Sequence, residues 1–124
     1  MDAIERSFED GIAIEKVNLF RATMNEAYEI KDNLIDDIVD HKKIIVDLSL
    51  CEYIDSTFLG ALVYAYRKIR EQNGAIVLVL SHSFLSKSFI YKEISSIFQV
   101  RHSLKEAISE LSANTKEAVT ATIK

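Results

Sequence analysis

The feature that most constrains this chain is a pair of short apolar runs, Lys43 to Leu48 (KIIVDL) and Ala75 to Leu80 (AIVLVL), placed on either side of one amphipathic segment. Neither run has helical periodicity and both are rich in β-branched residues, the pattern of strands covered on both faces. Between them, Phe58 to Gln72 carries Phe58, Leu59, Leu62, Val63, Ala65, Tyr66 and Ile69 at helical spacing and ends at Asn73-Gly74, a helix stop. Two buried strands joined by a helix form a βαβ unit. Such a unit demands parallel pairing and a right-handed crossover. The chain is therefore expected to be α/β, with these two strands central in its sheet.

The flanking segments extend that frame. Glu9-Asp10-Gly11 separates Ala3 to Phe8 from Ile12 to Val17, and both segments alternate apolar with polar residues, which predicts a hairpin. Ile12, Ile14 and Lys16 would share one strand face, and Ala13, Glu15 and Val17 the other. From Asn25 to Asp40 a stripe of Ala27, Ile30, Leu34, Ile35 and Ile38 predicts a surface helix, with Glu26, Lys31, Asp32, Asp36 and Asp37 opposite. Ser83 to Lys92 reads as a short helix and Ile97 to Val100 as a short strand. Ser103 to Leu111 reads as an amphipathic helix with the stripe Leu104, Ala107, Ile108 and Leu111, opened by a Ser103/Glu106 capping box. A single domain over residues 1–111 is expected, and residues 112–124 have little apolar stripe, which predicts a mobile tail.

Composition narrows the function classes. At 124 residues the chain can build one core without staples. Its formal charge of −4 and the mixing of Lys with Glu leave no basic stripe to track phosphates, so no direct nucleic-acid partner is expected. Cys51 is the single cysteine, which excludes an internal disulfide and suits a reducing cytoplasm. The charged start MDAIERSFED lacks an apolar signal core, and no apolar run approaches the roughly 18 residues of a membrane span, so no membrane insertion is expected.

Candidate chemistry gathers in Tyr53 to Gly60 (YIDSTFLG), where Asp55, Ser56 and Thr57 sit at the junction of the first buried run and the central helix. Two readings fit them. One of the three side chains could cap the helix, a contribution of about 1 kcal/mol. Alternatively, the free N–H groups and positive dipole end would favour added negative charge, and a phosphorylated hydroxyl would supply nearly two charges that repel an acidic partner. Other chemistry has weaker support. His82 could approach Ser56 at the carboxyl ends of the parallel strands, and His41 and His102 complete the histidine set, yet no GxSxG elbow accompanies them. Asp37 and His41 lie one helical turn apart beside Asp36 and Asp40, a spacing that fits a solvated charged face better than a metal site.

The stretch IIVDLSLCEYIDSTFLGALVYAYRKIREQNGAIVLVL resembles the signature region of the STAS domain, in particular the bacterial anti-sigma factor antagonists. There a VDLS-type strand leads through a short loop into a D-S-[ST]-G-L-G helix start, then a glycine stop and another buried strand. The order of elements matches from about Ile4 to Leu111. The resemblance implies a curved mixed β-sheet of four to five strands with about four helices packed on one side. It also implies a non-enzymatic regulator without metal or cofactor, which binds an anti-sigma factor when unphosphorylated and so frees a sigma factor. An anti-sigma factor with serine kinase activity would phosphorylate Ser56, with Thr57 as the fallback acceptor, and a serine phosphatase would reverse it. Asp55, Ser56, Thr57, Phe58, Leu59 and Gly60 would form the partner-binding surface. An accessory STAS subunit of a stress-signalling or lipid-transport complex is the alternative, and a small hydrolase using Ser56 a distant third. Two positions depart from the pattern. Phe58 stands where glycine is commonest, either enlarging the surface or packing, and Asn18 to Ala22 replaces a glycine and an acidic residue after the second strand.

Overall fold

A computed structural model describes residues 2–87 and 89–112. Strands β1 (Ile4–Glu9) and β2 (Ile12–Val17) form the expected hairpin, with Ile4 opposite Val17 and Glu9 opposite Ile12. Its two turn residues, Asp10 and Gly11, both have positive φ, 52° and 78°, as the tightest hairpin turns require. After β2 come β3 (Arg21–Ala22), α1 (Met24–Asp40), β4 (Lys43–Leu48), β5 (Tyr53–Ile54), α2 (Ser56–Arg70), β6 (Ala75–Leu80), α3 (His82–Lys87), α4 (Tyr91–Ile97) and β7 (Gln99–Arg101). Helix α5 covers residues 104–112.

The main sheet has the order β1-β2-β4-β6-β7. Only β1 and β2 pair antiparallel; β2-β4, β4-β6 and β6-β7 are parallel. This is the expected mixed sheet, with β4-α2-β6 as its central crossover unit.

Strict alternation along the strands divides the interior into two cores. On one face Ala13, Val17, Ile44, Val46, Leu48, Ile76, Leu78 and Leu80 pack under α1, α2, α3 and α4 through Ile30, Leu62, Phe84 and Ile94. On the other, Ile12, Ile14, Ile45, Val77 and Val79 meet Ala107 and Leu111 of α5, with Leu104 and Ile108 packed against them. Thus β4 and β6 are covered on both faces, as their unbroken apolar runs require. Each fully buried aliphatic side chain contributes roughly 2 kcal/mol, so both layers hold the sheet.

Some expectations need correction. Asp37 was expected on the solvent face of α1 but is 1% exposed, whereas Ile35, expected in the stripe, is 39% exposed. Lys16 lies on the strand face of Ile12 and Ile14, as expected, but is exposed where they are buried. Two helices, α3 and α4, stand where one was expected over Ser83 to Lys92, and because α4 runs to Ile97 the last strand starts later, at Gln99. The stop after α2 also works differently. Asn73, not Gly74, takes positive φ at 60°, while the Asn73 and Gly74 N–H groups return to Arg70 O and Ile69 O. Gly74 is needed for space, since a Cβ there would lie 2.7 Å from Lys42 O. Residues 113–124, nearly all of the expected tail, lie outside the described residues.

Candidate functional site

The site begins with Asp55, which is the N-cap of α2 in extended conformation. Its Oδ1 accepts from Phe58 N–H at 2.8 Å, and its Oδ2 accepts from Met24 N–H at 2.9 Å, the first residue of α1. One carboxylate therefore caps the starts of two helices, where both positive dipole ends favour its charge. Thr23 and Glu26 complete the α1 start with a capping box. That T-x-x-E pattern is legible in the sequence; the second helix held by Asp55 is not.

What brings the two helix starts together is a two-stranded parallel sheet of β3 and β5, with Arg21 opposite Tyr53 and Ala22 opposite Ile54. Glu52 N–H and Asp55 N–H donate to Phe20 O and Ala22 O, and the Arg21 guanidinium lies over the Tyr53 ring at 4.1 Å. The segment that departs from the expected pattern after β2 thus builds the platform under Asp55. Upstream, Asp47 Oδ1 accepts from Ser49 N–H at 3.0 Å and turns the chain out of β4.

With Asp55 as the cap, both neighbouring hydroxyls are left over. Ser56 and Thr57 are exposed, and neither hydroxyl has a protein hydrogen-bond partner among the described residues. They face different cavities. Ser56 lines a cleft of about 390 Å³ with Glu52, Tyr53, Ile54, Asp55 and, from the α3 side, Lys87, Phe89 and Ile90. Thr57 and Gly60 line a groove of about 330 Å³ with Ala27, Tyr28, Lys31, Ala61 and Tyr64. Leu59 is partly buried against the core and Gly60 is exposed. Phe58, expected in the partner surface, is 0% exposed and belongs to the core. Its side chain packs and does not enlarge the surface. The cleft residues from α3 and beyond carry no local sequence signal, because only the fold brings them to Ser56.

The other candidates do not converge on Ser56. His82 and His102 stack on each other with ring centroids 4.2 Å apart, and His102 Nδ1 lies 3.4 Å from Leu80 O. His41 stacks on Phe8 at 4.9 Å. Asp36 and Asp37 both bind Arg6, and among the described residues no three His, Cys, Asp or Glu side chains gather as a metal site. Cys51 is fully buried and its thiol contacts Tyr53 O at 3.1 Å; burial pushes its pKa up, away from the reactive thiolate. No helix among the described residues is long and apolar enough to cross a membrane.

Fold and site together define an α/β domain that presents an unengaged hydroxyl at a capped helix start beside its central crossover. The family model of the STAS domain matches residues 4–107, and the chain belongs to that family. No curated protein matches the sequence. Solved structures agree on the fold. An anti-sigma factor antagonist from Mycobacterium paratuberculosis is 18% identical with a TM-score of 0.73, over 86% of this chain and 91% of that one. The Bacillus cell fate determinant SpoIIAA in its phosphorylated form is 16% identical with a TM-score of 0.66, over 88% and 99% of the two chains. A sulfate transporter family protein from Wolinella succinogenes is 17% identical with a TM-score of 0.59, over 87% and 92%.

Proposed function

We propose that this chain is an anti-sigma factor antagonist, a single STAS domain over residues 1–111, that binds an anti-sigma factor when Ser56 is unmodified and so releases a sigma factor. The anti-sigma factor acts as the serine kinase for Ser56, and a serine phosphatase restores the binding form. No catalytic group of this chain takes part. The observation that carries the reading is the exposed Ser56 hydroxyl, left without a protein partner because Asp55 does the capping. A structural relative is described in a phosphorylated form, which supports a phosphate-dependent state in this fold. Asp55, Thr57, Leu59 and Gly60 frame the docking surface, with Phe58 supporting it from beneath. A repelled or uncompensated charge at an interface costs about 2 to 5 kcal/mol, a loss of affinity of about thirty-fold or more.

The test is phosphosite mapping after incubation with the cognate kinase and ATP. Label on Ser56 that disappears in Ser56→Ala is expected. Label confined to another residue would overturn the assignment, with Thr57 the first position to inspect. Ser56→Asp should weaken the anti-sigma factor complex. The likeness to a sulfate transporter family protein favours one other reading, an accessory subunit in which the hydroxyls have no switching role. A stable complex with a transporter or its ATPase, and none with any kinase, would establish it.

A further inference from the structure

The cleft beside Ser56 is lined by three charged residues: Glu52 just before β5, Asp55 at the α2 start, and Lys87 at the end of α3. Asp55 is occupied, its two oxygens accepting from Phe58 and Met24 N–H. Lys87 is exposed, and among the described residues it has neither an ion pair nor a hydrogen bond. The Ser56 hydroxyl on the same cleft is also unengaged. A hydroxyl and an unpaired ammonium therefore share one cavity with two carboxylates, of which Asp55 is held by two backbone donors and Glu52 makes no ion pair with Lys87.

We propose that Lys87 is the internal counter-ion of phosphorylated Ser56, reaching across the cleft from α3 to pair with the phosphate. The inference rests on the reading of Ser56 as the phosphoacceptor and adds how the modified state is held. A phosphoserine carries nearly two negative charges and three strong acceptor oxygens, so it has capacity for an ammonium partner beside the first N–H groups of α2. Lysine meets phosphate as a mobile point charge, so an exposed side chain lining the same cleft suits it without prior ordering. Pairing would hold the phosphate between α2 and α3, next to Phe89, which is 98% exposed on the same cleft. The phosphorylated surface thereby differs from the unmodified one in shape on the α3 side as well as in charge.

The test uses the full chain with phosphoserine installed at position 56 during synthesis, so no kinase is needed. Phosphorus NMR follows the second ionisation of the phosphate, ordinarily near ~6. With Lys87 present the titration should lie about half a pH unit below that of the same protein carrying Lys87→Gln, the size of an exposed ion pair. Lys92→Gln, at an exposed lysine of α4 that does not line the cleft, should leave it unmoved. Coincident curves with and without Lys87→Gln would overturn the proposal, and so would an equal shift with Lys92→Gln. Because the helix start is common to all three proteins, its own effect cancels. Failure of kinase labelling would leave this result standing, and a null titration would leave the phosphosite assignment standing.

Discussion

Asp55 accepts hydrogen bonds from the first turns of two helices, and this makes its stability cost separable from any role in docking. Asp55→Ala removes both acceptors and should cost about 1 to 2 kcal/mol, read as a lower urea midpoint with an unchanged slope. Asp55→Asn keeps one carbonyl oxygen for Phe58 N–H but turns an amide toward Met24 N–H, so its loss should fall between wild type and alanine. A loss below about 0.5 kcal/mol for Asp55→Ala would remove the double cap from the account. Phe58 offers the opposite contrast. Its fully buried ring predicts a cost of about 3 to 5 kcal/mol for Phe58→Ala, whereas a surface anchor would unfold at nearly the wild-type midpoint.

Helix α2 carries Gly60 in its second turn, where a Cβ would meet nothing within 4 Å and the backbone imposes no positive φ. Gly60→Ala should therefore stabilise the domain by up to about 1 kcal/mol through helix propensity alone. Binding read on the same variant tests the groove it shares with Thr57, Tyr28 and Tyr64: weaker capture of the anti-sigma factor by a more stable protein would show that the missing methyl admits a partner. Elements such as α2, β4 and β6 were legible because their signals are local: β-branched runs, a seven-position stripe and an Asn-Gly stop. The Asp-Gly hairpin and the stripe of α5 were legible for the same reason. The two-residue strands β3 and β5 were not, since a pairing so short exists only once the chain segments meet. At the candidate site Ser56 and the Asp55 cap lay within one octapeptide, whereas Lys87, Phe89 and Met24 arrive from other elements. Phe58 shares its helical spacing with Leu62, Ala65 and Ile69, all buried with it, so its place in the core was legible in the stripe, and only the resemblance assigned it to the partner surface.

Across the whole molecule, one polar cluster ties the edge hairpin to α1 and sets how stability responds to pH. Arg6 of β1 binds Glu15 at 3.0 Å, Asp36 at 3.0 Å, and Asp37, while Asn33 donates to the second Glu15 oxygen at 3.0 Å. Glu15 and Asp37 are both buried, and Asp37 Oδ2 has no hydrogen-bond partner among the described residues. Burial, and then the adjacent Asp37, push the Glu15 carboxyl up to about 8 from an ordinary 4.5, against the opposing pull of Asn33 and Arg6. A proton held on Glu15 would supply the donor that Asp37 Oδ2 lacks. In the unfolded chain the same carboxyl ionises at its ordinary pKa. Between about pH 4.5 and 8 the native state thus binds more protons than the unfolded state, and linkage makes stability fall as pH rises through that window. The slope for one such group is about 1.4 kcal/mol per pH unit in mid-window. Glu15→Gln keeps an acceptor for Asn33 and is neutral at every pH, at the loss of the oxygen that accepts from Arg6 Nε. Urea unfolding at pH 5, 6, 7 and 8 should show the variant gaining on the wild type at each step and exceeding it at pH 8. A constant difference across the series would mean that Glu15 stays ionised, with Arg6 alone balancing the buried carboxylates.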